Sequence, residues 1–206
     1  MLRIILSYFI VITLVSCSRS QDNKPDAKPV GSCEGCEAVL EYGNQKLSAV
    51  DTLPGFFEEG EKLFISGTIF KKDGITPAEG VILYVYHTNQ KGIYAPKETS
   101  TGWEKRHGYM RGWIKTGKDG KYQFYTIKPA SYPNSSAPAH IHPVILEPDG
   151  RYYWISEYLF ADDPNLNKNM VEKEPRGGSG VLKVNLNGDM LKAERNIILG
   201  LNVPGY

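Results

Sequence analysis

From residue 62 onward, the chain alternates short apolar runs with turn signals. The runs 62–70 and 121–127 are rich in β-branched and aromatic residues, which favour strands over helices. No apolar stretch sustains the 3.6-residue period of an amphipathic helix, apart from a short turn near 37–41. The pattern predicts an all-β protein, an antiparallel β-sandwich or open barrel with long connecting loops. The predicted strands are 62–70, 81–87, 112–115, 121–127, 140–146, 152–160, 181–186 and 196–201.

Three dipeptides mark tight turns between these strands. Asp119-Gly120, Asp149-Gly150 and Asn187-Gly188 each stand between two predicted strands. Asp-Gly and Asn-Gly adopt the positive φ angles that two-residue hairpin turns require. Each is therefore predicted to join two neighbouring strands of one sheet.

The N-terminus has the pattern of an export signal. Arg3 precedes an apolar run over residues 4–15, which is shorter than the about 20 residues of a membrane span. The run ends at Ser16-Cys17, which resembles the lipobox of bacterial lipoproteins. That resemblance implies removal of residues 1–16, lipidation of Cys17 and a lipid-anchored place in the cell envelope, on the periplasmic side of the outer membrane or at the cell surface. The alternative is an ordinary signal peptide with an incidental cysteine.

Polar residues and two cysteines follow the predicted signal. Residues 17–32 contain Val30 as their only large apolar residue, which predicts a flexible tether outside the fold. The remaining residues, 33–206, are predicted to form one domain. Cys33 and Cys36 would form a small disulfide loop in an oxidising compartment, and a redox or metal-binding pair is the alternative.

Composition and charge narrow the choice of partners. The chain has 24 Lys and Arg against 23 Asp and Glu, a formal net charge of +1. Binding to phosphate backbones needs a basic excess, so nucleic acid is not expected as a partner. The 21 Gly and 13 Pro agree with a chain rich in turns.

Two of the four histidines, His140 and His142, stand two residues apart in a predicted strand. Side chains at i and i+2 point to the same face of a strand, so both imidazoles can reach one metal ion. A half-exposed strand that carries two histidines by chance is the alternative. Tyr132 lies just upstream, in a Pro-rich loop that a central strand would not accommodate.

Several segments together resemble the intradiol ring-cleavage dioxygenases. Residues 126–133 (TIKPASYP) and 138–142 (PAHIH) are similar to the metal-site region of that family. Residues 86–94 (YHTNQKGIY) resemble an earlier block that ends in Gly-x-Tyr. Residues 116–124 and 159–163 match a hairpin and a Phe-x-x-Asp stretch of the family. The resemblance covers about 100 residues.

This resemblance implies a mononuclear non-haem Fe(III) site. Its ligands would be Tyr94, Tyr132, His140 and His142, and phenolate oxygen is a hard anionic donor that suits a trivalent ion. The implied reaction inserts both atoms of O2 into a catechol-like aromatic diol, with cleavage between the two hydroxylated carbons. Tyr132 would also be catalytic, leaving the metal and taking up a substrate proton.

One position departs from the family pattern. The family has Arg before Pro-Ala-His-x-His, and this chain has Ala137. Arg111 and Arg176 are the candidates for supplying the missing positive charge to the substrate. Trp103 and Trp113 are aromatic rings that could stack on a substrate, although packing is the simpler role for both. The departure keeps open a second function, an envelope-anchored module that binds iron or a catecholate without turnover.

Overall fold

The computed structural model describes residues 26–206, which form two β-sheets packed face to face. The seven strands of the first sheet and the six of the second account for nearly all regular structure in this part of the chain. Within residues 26–206, helical structure is confined to the short 3-10 helix Cys36–Leu40 and the single α-helical turn α1, Glu104–His107. The strands are β1 Lys28–Pro29, β2 Val50–Thr52, β3 Lys62–Phe70, β4 Ile82–His87, β5 Arg111–Lys115, β6 Lys121–Ile127, β7 His140–Leu146, β8 Arg151–Trp154, β9 Tyr158–Phe160, β10 Val181–Leu182, β11 Asn185–Asn187, β12 Met190–Glu194 and β13 Ile197–Ile198.

The first sheet has the order β1-β8-β7-β4-β5, and β9 and β10 extend it beside β7. Strand β7 is central: it pairs antiparallel with β4, β8 and β9. Its register places His142 opposite Tyr86 and His140 opposite Leu159. The histidine pair therefore lies on the strand that has the most neighbours in this sheet.

The second sheet has the order β11-β12-β3-β6-β2, and β13 also pairs with β3. Strands β3 and β6 form its antiparallel centre over seven residue pairs. Alternate residues of β3 are buried, with Leu63, Ile65 and Ile69 fully inaccessible. This alternation is what a sheet with one covered face requires.

Two hydrophobic clusters hold the sandwich together. The larger fills the space between the sheets, where Ile141 and Ile145 of β7 meet Phe124 of the second sheet. The smaller covers the outer face of the first sheet, and residues of the 3-10 helix pack there against Tyr84 and Trp113. Because both faces of β4 and β7 are covered, these strands are almost continuously buried.

The predicted all-β sandwich is confirmed, with differences in detail. Five strand pairings are parallel, so both sheets are mixed. The turns at Gly150 and Gly188 join antiparallel neighbours as predicted. The predicted hairpin at Gly120 is wrong, because β5 pairs in the first sheet and β6 in the second. This turn crosses between the sheets. Gly120 fits there because its φ is positive and because a Cβ at this position would lie 2.6 Å from the backbone oxygen of Ile69.

The predicted run 152–160 divides into β8 and β9, and the residues between these strands contribute to the site described below.

The expected tether ends earlier than residue 32. Residues Lys28 and Pro29 pair with β8, and Val30 is buried in the core between the sheets. Short peripheral strands such as β1 have too little hydrophobic pattern to be predicted.

Several predictions concern the N-terminal region. The signal peptide 1–16, Cys17 and most of the tether lie outside the described residues. Within residues 26–206, no helix has the length and apolar character needed to cross a bilayer. Cys33 and Cys36 are joined in a disulfide, with their Cα atoms 5.6 Å apart.

Candidate metal centre

His140 and His142 stand at the start of β7 and point to the outer face of the first sheet. Ile141, between them, is fully buried in the core. The two imidazoles meet through their Nε2 atoms, which are 3.1 Å apart. Their rings are nearly perpendicular, at 88°. The i, i+2 spacing thus brings two nitrogen donors to one point, as the sequence pattern predicted.

Tyr94 reaches the histidines from the loop that follows β4. Asn89 closes this loop, because its side-chain oxygen accepts hydrogen bonds from the backbone N–H groups of Lys91 and Ile93. Gly92 has a φ of 72°, and a Cβ there would collide with the backbone oxygen of Ser131. A glycine is therefore required where the two loops touch, and this contact sets the position of Tyr94.

Tyr132 stands on the second of these loops, which follows β6. Thr88 donates a hydrogen bond from its hydroxyl to the backbone oxygen of Ala130 at 2.7 Å. Gln90 donates from its side-chain amide to the backbone oxygen of Lys128 at 2.5 Å. These bonds attach the Tyr132 loop to the end of β4, so the two tyrosine loops are held as one unit.

The four predicted ligands bring two phenol oxygens and two imidazole nitrogens together. The oxygen of Tyr94 lies 2.5 Å from that of Tyr132 and 2.7 Å from Nε2 of His142. The oxygen of Tyr132 lies 2.9 Å from Nε2 of His140 and 3.4 Å from Nε2 of His142. Donors bound at about 2.0–2.1 Å from one ion stand roughly 3 Å apart when adjacent. The spacing and the O2N2 donor set therefore fit a single hard metal ion such as Fe(III).

The remaining nitrogen of each imidazole is also engaged. Nδ1 of His140 lies 2.7 Å from the backbone oxygen of Pro138. Nδ1 of His142 lies 3.0 Å from a carboxylate oxygen of Glu157. Both oxygens are acceptors, so each Nδ1 carries the proton and each Nε2 presents its lone pair to the phenols. This is the tautomer that a metal-binding histidine needs.

Burial affects the acid–base chemistry of these groups. It raises the pKa of Tyr94 and of Tyr132 above the ordinary value for a phenol, so both are neutral in the absence of a cation. Burial also lowers the pKa of His140, and the nearby His142 lowers it further. Neutral imidazoles can bind a metal without losing a proton, whereas the phenols need a strong local positive charge to ionise.

A stack of aromatic rings packs against the His142 side of the centre. The ring of Tyr86 lies parallel to that of His142, with centroids 4.7 Å apart, and against His107 on its other side at 3.8 Å. The hydroxyl of Tyr84 lies 2.9 Å from Nδ1 of His107. The stack restrains the plane of the His142 ring, because Tyr86 is its cross-strand neighbour.

A cavity of about 640 Å³ opens beside the centre. His142, Tyr86 and Glu157 form the part of its wall that belongs to the site, and Trp154 lies further along the same sheet. Residues 32–36, including the disulfide, form another wall, and residues 170–175 contribute a third. This volume is within the range of about 300–1,000 Å³ that is usual for small-molecule sites.

Comparison with known proteins identifies the family. A family model described as Dioxygenase matches residues 41–194, about three quarters of the chain. The chain belongs to the intradiol dioxygenase family. A catechol 1,2-dioxygenase from Acinetobacter lwoffii is 37% identical over 86 residues, which are 42% of this chain and 26% of that enzyme. A hydroxyquinol 1,2-dioxygenase from Rhizobium sp. (strain MTP-10005) is 26% identical over 164 residues, which are 70% of this chain and 53% of that enzyme. The matched region thus spans at most about half of these two relatives.

Solved structures of dioxygenases share the fold. The dioxygenase domain of a carbohydrate-binding fusion protein from Streptomyces sp. SirexAA-E has a TM-score of 0.59, at 21% identity over 84% of this chain and 98% of that chain. Catechol 1,2-dioxygenase from Acinetobacter sp. ADP1 has a TM-score of 0.53, at 20% identity over 73% of this chain and 56% of that one. The sandwich described here is therefore an intradiol dioxygenase sandwich.

The family arginine is replaced by Ala137, and neither predicted substitute contacts the four donors. Arg111 is paired with Glu41 at 2.6 Å and lies 3.8 Å from Glu104. Arg176 lies over the ring of Trp154, with 3.5 Å between the guanidinium carbon and the ring centroid. Trp154 lines the cavity, but neither arginine is among the residues that line it. A catalytic role for either arginine stays a prediction.

The structure also identifies site residues that the sequence analysis missed. Glu157 bonds to His142 from the break between β8 and β9, in a stretch that was predicted as a continuous strand. Tyr86 belongs to the motif over residues 86–94, which gives no sign that its ring covers the His142 imidazole. Trp103 packs on His107, and the Trp113 indole N–H donates to the backbone oxygen of Val39. The two tryptophans have the packing role, and the cavity is lined instead by Trp154.

Proposed function

We propose that this protein is a non-haem Fe(III)-dependent dioxygenase that cleaves a catechol-like aromatic diol between its two hydroxylated carbons. The observation that carries the proposal is the convergence of Tyr94, Tyr132, His140 and His142, whose donor atoms lie 2.5–3.4 Å apart in five pairs. Membership in the intradiol dioxygenase family supports it. The chemistry that ferric iron supplies when bound is chelation of the two diol oxygens and withdrawal of electron density from the ring.

In this proposal the role of each ligand depends on whether it stands on a strand or on a loop. His140 and His142 stand on the central strand β7, so their nitrogens keep their place. Tyr94 and Tyr132 both stand on loops and are partly exposed, and by family resemblance Tyr132 would be the one that makes room for a substrate oxygen. Its released phenol oxygen can then hold a proton from the diol.

The cavity sets the shape and charge of the diol. An aromatic ring entering beside His142 meets the rings of Tyr86 and Trp154, which offer apolar contact. Glu157 also faces this cavity, and a like charge on the substrate would be repelled. We therefore expect catechol or hydroxyquinol to be accepted more readily than protocatechuate, which carries a carboxylate.

The test is a sequence of anaerobic and aerobic steps. Protein loaded with ferric iron should be red to burgundy from charge transfer by the tyrosinates. Each diol is added without oxygen while the spectrum is recorded, and O2 is then admitted. The proposal expects a spectral change with catechol, uptake of one O2 per diol and a ring-opened diacid that contains both oxygen atoms of 18O2. A double variant, His140→Ala with His142→Ala, is the control that lacks the imidazole donors.

A binding module without turnover is the second candidate. Ala137 favours it, because no Lys or Arg within residues 26–206 forms a hydrogen bond or an ion pair with the four donors. A coloured protein whose spectrum changes with catechol, but which consumes no O2, would support the binder and reject the enzyme. A protein that retains no ferric iron would reject both functions.

We also propose that the protein is held in the cell envelope by a lipid on Cys17. Residues 1–16 and the small residue before Cys17 support this, since they resemble a lipoprotein signal. Two or more acyl chains would anchor the chain stably. Mass spectrometry of the mature N-terminus tests the proposal, and an unmodified Cys17 or an intact signal would reject it.

A further inference from the structure

Glu157 is a carboxylate at the wall of the cavity and in contact with the metal centre. It stands between β8 and β9, and one of its carboxylate oxygens lies 3.0 Å from Nδ1 of His142. Its side chain is 41% exposed, so the carboxylate is reached by solvent from the cavity side. Neither family resemblance nor strand pattern predicts a carboxylate with this contact.

The backbone around Glu157 is held by the buried side chain of Arg195 and by close contact with Gly180. Arg195 is buried, and one of its guanidinium nitrogens donates to the backbone oxygen of Ser156 at 2.7 Å. A second nitrogen donates to the backbone oxygen of Gly178 at 3.1 Å. Gly180 lies so close that a Cβ there would collide with the backbone oxygen of Glu157. The carboxylate is therefore presented to His142 from a fixed support.

We propose that Glu157 is a positioning residue for His142. Its carboxylate accepts the Nδ1 proton of His142, which keeps the Nε2 lone pair directed at the two phenols. The negative charge behind the ring also makes Nε2 a stronger donor to a cation. The inference rests on the proposed ferric site for its role in catalysis, but the hydrogen bond it describes exists without the metal.

The two imidazoles differ in the acceptor of the Nδ1 proton. His140 donates its Nδ1 proton to the backbone oxygen of Pro138, a neutral acceptor at 2.7 Å. His142 donates to an ionised carboxylate, and hydrogen bonds to charged acceptors are roughly twice as strong as neutral ones. We therefore expect His142, rather than His140, to lose its orientation when its partner is removed.

The test compares Glu157→Ala and Glu157→Gln with the unchanged protein. Glu172→Gln is the matched control, because Glu172 also lines the cavity but accepts its hydrogen bond from Ser156 instead of a histidine. Ferric affinity is measured by competition with a chelator. Loss of an outer partner of a metal-bound histidine typically costs about 10–100-fold in affinity, and this is the loss expected for Glu157→Ala. Gln can still accept the Nδ1 proton, so Glu157→Gln should lose less.

A second readout needs no metal. Nitrogen-15 spectra of labelled histidine in the apoprotein report which ring nitrogen carries the proton. His142 should be the Nδ1–H tautomer in the unchanged protein, in Glu157→Gln and in Glu172→Gln, and should change toward Nε2–H in Glu157→Ala. Unchanged affinity and tautomer in Glu157→Ala would overturn the inference while leaving the proposed function intact. Failure of the unchanged protein to bind ferric iron would reject the proposed function, and the tautomer would still decide the positioning role.

Discussion

At the scale of the residue, the side chains of the centre differ in how far the sequence could predict them. The His-x-His pair follows from strand geometry alone, because i and i+2 share a face. Tyr94 and Tyr132 could be assigned only through family resemblance, since the chain has 13 tyrosines and most positions suit packing equally well. Glu157 could not be found at all, because a break in a strand leaves no periodic signal.

Tyr94 provides the most direct residue-scale prediction. Tyr94→Phe removes an oxygen that lies within 2.7 Å of two other donors but keeps the ring. Loss of a direct ligand should reduce ferric affinity by more than the about 10–100-fold that an outer partner costs, and weaken the charge-transfer band. Tyr125→Phe, on β6 within an aromatic cluster of the second sheet, is the control and should leave both unchanged. Equal affinities for the two variants would contradict the ligand assignment.

His87 gives a prediction about pH and stability. It is fully buried, and burial lowers its pKa to about 4. Nε2 of His87 lies 2.6 Å from the Thr126 hydroxyl and Nδ1 lies 2.8 Å from the Thr88 backbone oxygen. A positive charge on His140 or His142 would disfavour protonation of His87 further. His87 is therefore neutral in the folded protein well below the pH at which an unfolded histidine binds a proton.

The direction of the pH effect follows from this difference. Above about pH 6.5 both states are neutral and stability is complete, and between 6.5 and 4 only the unfolded state binds the proton. The contribution of His87 to the free energy of unfolding should therefore fall by about 3 kcal/mol as the pH is lowered across this window. Urea unfolding at several pH values measures it, and His87→Gln should give a shallower slope. Parallel curves for the two proteins would show that His87 does not titrate as described.

At the scale of the element, two loops rather than strands decide whether the donors meet. The bounds of three strands were predicted well, since β3, β6 and β7 begin and end where the pattern indicated. The loops at 89–94 and 128–133 depend on side-chain bonds from Asn89, Thr88 and Gln90, which no local pattern reveals. The sequence could place Tyr132 near the histidines along the chain but could not show where Tyr94 would approach.

Gly92 tests how much depends on the contact between these loops. Gly92→Ala adds a Cβ that collides with the Ser131 backbone at a φ of 72°, so the loops must separate. Ferric affinity should fall at least about tenfold, of the order that loss of an outer-shell contact produces. Gly188→Ala is the matched control, because it has a similar φ of 67° but open space around it. If both variants bind iron equally, loop contact does not position Tyr94.

At the scale of the whole molecule, one face of β7 packs in the core and the opposite face carries the two histidines of the site. Ile141 and Ile145 face the core between the sheets, and His140 and His142 face outward. The hydrophobic pattern predicted this sandwich because alternation and turn residues are local signals. It could not predict the parallel pairings or the crossing at Gly120, because those depend on which sheet a strand joins.

This separation predicts the effect of a core substitution. Ile145→Ala removes a fully buried side chain and should lower the free energy of unfolding by about 2–5 kcal/mol. The ferric spectrum of the folded variant should be unchanged, because the donors are on the other face. Leu186→Ala, at a side chain that is 71% exposed, is the control and should change stability by less than about 0.5 kcal/mol. An altered spectrum in Ile145→Ala at low temperature would show that core and centre are coupled.

The cavity wall formed by residues 32–36 is separate in sequence from the four donors. This disulfide-closed segment borders the cavity but lies ahead of residues 41–194, the part that the family shares. Exchange of a few residues there would reshape the space offered to an incoming ring without altering any of the four donors. A chimaera that swaps only this segment would therefore test one wall of the cavity separately from the donors, and under the proposed function it would keep the ferric site while changing which diols are admitted.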